Sequence, residues 1–115
     1  MIITKTPYRI SFFGGGSDYP SWYKKNGGAV LSTTIDKHVY ISCRFSPKYF
    51  KQKYRIVWRK IENVQKLNQI NHKAVRELLK YLKIKPGLEI HYYGDLPARS
   101  GMGSSSSFTV GLMQA

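Results

Sequence analysis

Short-period alternation dominates the first sixty residues of this chain and returns near residue 90, while helical spacing is confined to two later stretches. Ile2 to Lys5 and Arg9 to Phe13 are rich in β-branched and aromatic residues, and Pro7 between them predicts an edge or kinked strand. Gly14, Gly15 and Gly16 end that pattern. Pro20 to Lys25 suits a short helix, closed by the turn signal Asn26-Gly27-Gly28. Ala29 to Ile35 reads as a strand. Asp36-Lys37 predicts a tight connection from which His38 to Phe45 pairs back as a hairpin. Tyr54 to Trp58 alternates again. Val75, Leu78, Leu79 and Leu82 then recur at helical spacing from Ala74, and Pro86-Gly87 ends the run. Leu88 to Tyr93 predicts another strand, and Phe108 to Met113 a helix entering the core. There is no internal repeat and no interdomain linker.

Composition narrows the class. A chain of 115 residues that is 42% hydrophobic suits one domain with a modest core. No stretch approaches the roughly 20 apolar residues of a membrane span. The start, MIITKTPYRI, lacks the apolar block and small-residue cleavage site of a secretory signal. Cys43 stands alone, which excludes an internal disulfide and fits a reducing cytoplasm. Charge is lopsided: 19 Lys and Arg face 6 Asp and Glu, for a net +13. From Arg44 to Lys60 basic residues recur with no acid among them. Such a balance favours nucleic acid, acidic membrane or phosphorylated small molecules, or else is a solvated face.

The chemistry concentrates in Pro97 to Ser107, P-A-R-S-G-M-G-S-S-S-S, between a predicted strand and an apolar helix. Gly101 and Gly103 can take positive φ and let backbone N–H groups approach an anion. The first turn of the helix adds unpaired N–H groups and the positive end of the dipole. The result is a phosphate cradle, with serine hydroxyls available to phosphate or to magnesium. It is not a Walker loop, because no lysine follows Gly103. Nor is it a dinucleotide fingerprint, because Ser106 stands where the third glycine belongs. A flexible linker or plain helix cap is the other reading, but a linker does not run straight into Phe108, Val110, Leu112 and Met113.

Two motifs in order make the pattern specific. Pro97 to Ser107 resembles the phosphate-binding loop of the GHMP kinases, with Met102 in the usual Leu position and Ser106 in the usual Ala position. T-P-Y-R-I-S-F-F-G-G-G-S-D-Y, Thr6 to Tyr19, is similar to the first motif of the same superfamily. Its G-G-G-S-D form, with Asn26 to Asp36 and His72 to Tyr81, resembles the branch of D-glycero-D-manno-heptose 7-phosphate kinase.

That resemblance implies an α+β fold of the ribosomal protein S5 domain 2-like type, a mixed sheet with helices on one face. It implies that residues 1–115 are an N-terminal GHMP kinase domain. The C-terminal domain, with a second glycine-rich motif and an acidic residue, would lie outside this chain, which alone is expected to be inactive. Phe108 and Leu112 are then expected at a surface that the missing part covers. The implied activity is transfer of the γ-phosphoryl group of ATP, with Mg2+, to a sugar or sugar-phosphate hydroxyl, foremost the anomeric oxygen of a heptose 7-phosphate. A galactokinase- or fucokinase-like kinase is the nearer alternative, and an RNA- or ribosome-binding module the more distant one.

By the resemblance Arg9 is catalytic and, with Gly16, Ser17 and Asp18, substrate-binding. Pro97, Ser100, Gly101, Met102, Gly103, Ser104, Ser105 and Ser106 take the ATP phosphates, and Ser105 also contacts the metal. The implied partners are ATP and a small sugar, with neither nucleic acid nor membrane. His38, His72 and His91 lack metal-ligand spacing, and Tyr92 and Tyr93 are expected to pack the sheet, with stacking on adenine as the other reading.

Overall fold

Pro7 bends the first strand without ending it. A computed structural model describes residues 1–98 and 100–115, and in it β1 runs through Ile2–Phe13. The other strands are β2 (Leu31–Phe45), β3 (Tyr54–Val57), β4 (Ile61–Val64) and β5 (Leu88–Gly94). Among the described residues they form one sheet ordered β1-β2-β5-β3-β4. β3 runs parallel to β5 and every other pairing is antiparallel, so the sheet is mixed. A proline has no N–H for a ladder, and Pro7 accordingly lies on the edge strand.

The expected hairpin at Asp36-Lys37 does not form. β2 is one long strand that pairs with β1 along both of its halves. The register jumps there from Pro7↔His38 to Arg9↔Thr34, so Ile35, Asp36 and Lys37 face the single residue Tyr8. The polar pair therefore marks a bulge, not a reversal. The long partner β1 pairs with both halves, and β5 adds a second ladder along Val39 to Phe45, which keeps the strand extended through the bulge. β4 was not expected at all, because Ile61 to Val64 is too short and too polar to show alternation.

The helices α1 (Pro20–Asn26), α2 (Lys73–Tyr81) and α3 (Ser104–Gln114) follow the expected order. Val75, Leu78 and Leu79 of α2 join Phe108 and Leu112 of α3 in one core with Val39, Ile41, Tyr54, Ile56, Leu88 and Ile90. The strand residues alternate along their strands and so share one face of the sheet. Fully burying side chains of this size contributes about 1.5–3 kcal/mol each. The other face carries Glu89 held by Arg44 and His91. An α+β mixed sheet with α2 and α3 on one face is thus the observed fold.

Phe108 and Leu112 lie at 7% and 5% exposure, inside the core and not at an open surface as expected. The apolar groups that α3 leaves exposed are Val110 and Met113, on its opposite side. No helix among the described residues is long and apolar enough to cross a membrane.

Candidate phosphate and acceptor site

The serine run is the first turn of α3. Gly103 is its N-cap, in the left-handed conformation at φ 73°, and no side chain caps the helix. The first-turn N–H groups of Ser104, Ser105 and Ser106 are therefore left without a side-chain acceptor, while Ser107 N donates back to Gly103 O at 2.9 Å. Gly101 also has positive φ, at 74°. Ser105 and Ser106 are exposed, Ser104 is half-buried, and Pro97 borders the loop at the surface. Ser100 Oγ is buried and has no hydrogen-bond partner among the described residues. An uncapped helix start, two left-handed glycines and an orphaned hydroxyl suit a phosphate chain in both charge and donor supply. A serine hydroxyl such as that of Ser105 is a hard oxygen donor of the kind Mg2+ takes. The described residues contain no cluster of three His, Cys, Asp or Glu to hold a metal by themselves.

Arg9 comes to this loop from β1. Its backbone N–H donates to Met102 O at 3.2 Å. Its side chain lies across Gly103 so closely that a Cβ there would stand 3.0 Å from Arg9 Cγ. The guanidinium donates to Ser11 Oγ at 2.5 Å and has no carboxylate partner among the described residues, leaving its charge unspent. Met102 turns its side chain inward against the core.

Gly16, Ser17 and Asp18 form a single 3-10 turn in the β1–β2 connection. Ser17 and Asp18 line an open hollow with Tyr23 of α1 and Gly28, Ala29 and Val30. Ser17 Oγ donates to Ala29 O at 3.1 Å, which ties the two sides of the connection together. Asp18 is exposed and makes no ion pair among the described residues. The structure thus brings Arg9 against the glycine–serine loop, whereas among the described residues no hydrogen bond joins the Gly16–Asp18 turn to it.

A second hollow opens directly beside the helix start, and the sequence reading missed it. Trp58, His72, Tyr92 and Phe108 wall it, and Ser104 and Ser105 form its rim. The Trp58 and His72 rings meet edge to face at 4.8 Å, and His72 lies 4.9 Å from Phe108. Glu62, 7% exposed, accepts from Trp58 Nε1 at 2.9 Å and from Asn71 N at 2.6 Å, fixing both sides of this wall. Burial holds the His72 imidazole below its ordinary pKa, against the opposing pull of Glu62. Nothing in the spacing of Trp58, His72 and Tyr92 betrays the hollow, because each comes from a different element.

Residues 68–115 match the family described as GHMP kinases N terminal domain. Over 99% of its length the chain is 30% identical to the D-glycero-alpha-D-manno-heptose 7-phosphate kinase of Campylobacter jejuni, of which it covers 36%. Its fold is similar to that of a D-glycero-D-manno-heptose 1-phosphate kinase from Bacteroides thetaiotaomicron, at TM-score 0.81 and 23% identity. That match spans 100% of this chain and 40% of the other. It is also similar to the mevalonate kinase of Methanococcus jannaschii, at TM-score 0.68 and 23% identity, over 99% of this chain and 38% of that one. The chain spans little more than a third of the length of the curated relative.

Proposed function

We propose that residues 1–115 are the N-terminal domain of a GHMP kinase, that the protein phosphorylates a sugar or sugar phosphate, and that this domain supplies its phosphate and acceptor subsites. The observation that carries this reading is the uncapped start of α3 with the Arg9 side chain laid against Gly103. ATP with Mg2+ supplies the transferable phosphoryl group. The Ser104, Ser105 and Ser106 N–H groups hold phosphate oxygens, with Gly101 and Gly103 giving close backbone approach and Pro97, Ser100 and Met102 shaping the loop. Ser105 Oγ would be the protein's hard oxygen ligand for the Mg2+. The Arg9 guanidinium balances charge that develops during transfer. Asp18, with Ser17 and Gly16, accepts from the acceptor's hydroxyls and orients one of them.

The aromatic hollow beside Ser104 and Ser105 suits the flat base of the nucleotide, since it adjoins the phosphate cradle and offers ring faces and edges. The acceptor we favour is a heptose 7-phosphate, on the glycine-rich Gly14-Gly15-Gly16-Ser17-Asp18 turn and on the likeness to the Campylobacter jejuni enzyme. The lone Cys43 suits a cytoplasmic enzyme.

A panel of acceptors, assayed by ADP release with the full-length protein, tests the reading. A heptose 7-phosphate should be consumed faster than galactose, mevalonate or homoserine. Preference for a non-sugar alcohol would remove the substrate assignment, and release with none of them would remove the kinase assignment. Ser105→Ala should lower the rate and weaken use of Mg·ATP with little change in acceptor affinity. Asp18→Asn should do the reverse, at a cost of roughly 1.5–3 kcal/mol for a hydrogen bond to a charged group, or about one to two orders of magnitude in rate. Loss of nucleotide binding in Asp18→Asn with acceptor use intact would show the two subsites to be misplaced.

A further inference from the structure

Residues outside the phosphate loop hold it at three points among the described residues. Three consecutive residues of β1, at the register jump opposite Ile35 to Lys37, reach three separate points of the loop and the helix after it. Tyr8, 0% exposed, donates its hydroxyl to Leu96 O at 3.2 Å, just before Pro97. Arg9 N donates to Met102 O at 3.2 Å, in the middle. Pro7 O accepts from Ser107 Oγ at 2.8 Å, in the first turn of α3. Proline has no N–H to give, but β1 is an edge strand of the described sheet and the register partner His38 donates its N–H to Asp95, so the Pro7 carbonyl is available to Ser107.

The Tyr8 end is reinforced. Burial and a hydrogen bond to the Tyr8 hydroxyl push the Tyr92 phenol up to about 12. Both hydroxyls converge over Gly94, where an added Cβ would lie 2.6 Å from that of Tyr92 and 2.7 Å from that of Tyr8. Gly94 is thus the space into which the two phenols point. Asp95 anchors the same corner to β2, exchanging bonds with His38 N and His38 O at 2.8 Å and 3.0 Å.

We propose that Pro7, Tyr8 and Arg9 form a clasp that positions the phosphate loop, with Tyr8 and Ser107 as positioning residues and Gly94 as the space that lets the clasp close. Its role toward nucleotide rests on the reading of Gly101 to Ser106 as the phosphate site. A loop of this kind gains from being shaped before its ligand arrives, because ordering it on binding would be deducted from affinity. The segment that carries Arg9 is also the segment that grips the loop. Seating the loop therefore sets where the guanidinium lies relative to it.

The test compares Tyr8→Phe, Ser107→Ala and Gly94→Ala with wild type in the full-length protein. Tyr8→Phe keeps the ring in the core and removes only the hydroxyl. Gly94→Ala leaves both phenols intact and displaces them, so the two variants reach the same corner by different routes. Amide hydrogen exchange is read separately at the two hydrogen-bonded N–H groups that hold the loop, Arg9 (to Met102 O) and Ser107 (to Gly103 O), and at Val39, Ile41 and Ile90, and Mg·ATP affinity is titrated alongside. Each variant should speed exchange in the loop by about five- to tenfold, the equilibrium weight of one neutral hydrogen bond, with the core strands unchanged. Mg·ATP affinity should fall by a similar factor and the acceptor KM should hold. Loop exchange equal to wild type, or a rise shared equally by the core strands, would overturn the clasp. A loosened loop with unchanged Mg·ATP affinity would leave the clasp standing and overturn the assignment of phosphates to the loop.

Discussion

Gly103 combines two demands that only a residue without a side chain meets together. Its φ of 73° is left-handed, and Arg9 fills the volume a Cβ would take. Gly103→Ala should therefore lose about 1–2 kcal/mol from the backbone conformation, and it should also push the Arg9 side chain off the loop. Urea unfolding reads the first effect and Mg·ATP affinity the second. Wild-type stability in this variant would mean that the left-handed turn is relaxed in solution. At this scale the motif residues stand out by type, since glycine, serine, arginine and aspartate each advertise a backbone or charge function. Tyr8, Trp58 and Glu62 were not. A buried tyrosine or glutamate looks like any other until its partner is known, and theirs lie as far along the chain as Leu96 and Asn71.

Among the elements, α2 carries a cap that titrates. His72 is its N-cap residue, and Nδ1 accepts from Val75 N at 3.4 Å, which only an unprotonated nitrogen can do. Burial lowers the folded-state pKa below the ordinary 6.5, so the folded protein binds fewer protons than the unfolded chain in that window. This contribution is present above pH 6.5 and is lost as the pH falls toward and through the lowered value. Melting temperature should accordingly drop between pH 7.5 and pH 5.5. His72→Asn, which keeps a capping acceptor and does not titrate, should drop less. Equal slopes in the two proteins would show that His72 does not carry the dependence. The helices and β5 were legible because a 3.6-residue or two-residue period survives in them. β2 was misread because Asp36-Lys37 looks the same in a bulge as in a turn, and only the unbroken partner strand separates the two.

Over the whole molecule the acids are unevenly spent. Glu62 is buried against Trp58, Glu89 is enclosed by Arg44, Arg55 and His91, and Glu77 pairs with Arg76 and Lys80. The stretch from Arg44 to Lys60 has no acid of its own, and among the described residues Glu89 answers Arg44 and Arg55 within it. At the other end the aromatic groups Phe12, Phe13 and Trp22 lie open at 61%, 73% and 54% exposure. A net charge of +13 should keep copies apart at low salt, while these apolar groups draw them together once the charge is screened. Light scattering should show a monomer near 0.01 M salt and growing mass near 1 M, as the Debye length shrinks from roughly 30 Å to 3 Å. Association that weakens with salt would point to charge pairing instead. Composition and motif order by themselves determined the family resemblance, the glycine–serine loop, and the strands and helices apart from β4 and a β2 read as two strands, because each rests on residues close together in the chain. Tertiary structure alone decided the continuity of β2, the meeting of Arg9 with Gly103, the aromatic hollow and the clasp on the loop. Those depend on contacts between residues as much as 100 positions apart, such as Ser107 and Pro7, and no local pattern encodes which distant partner a side chain will find.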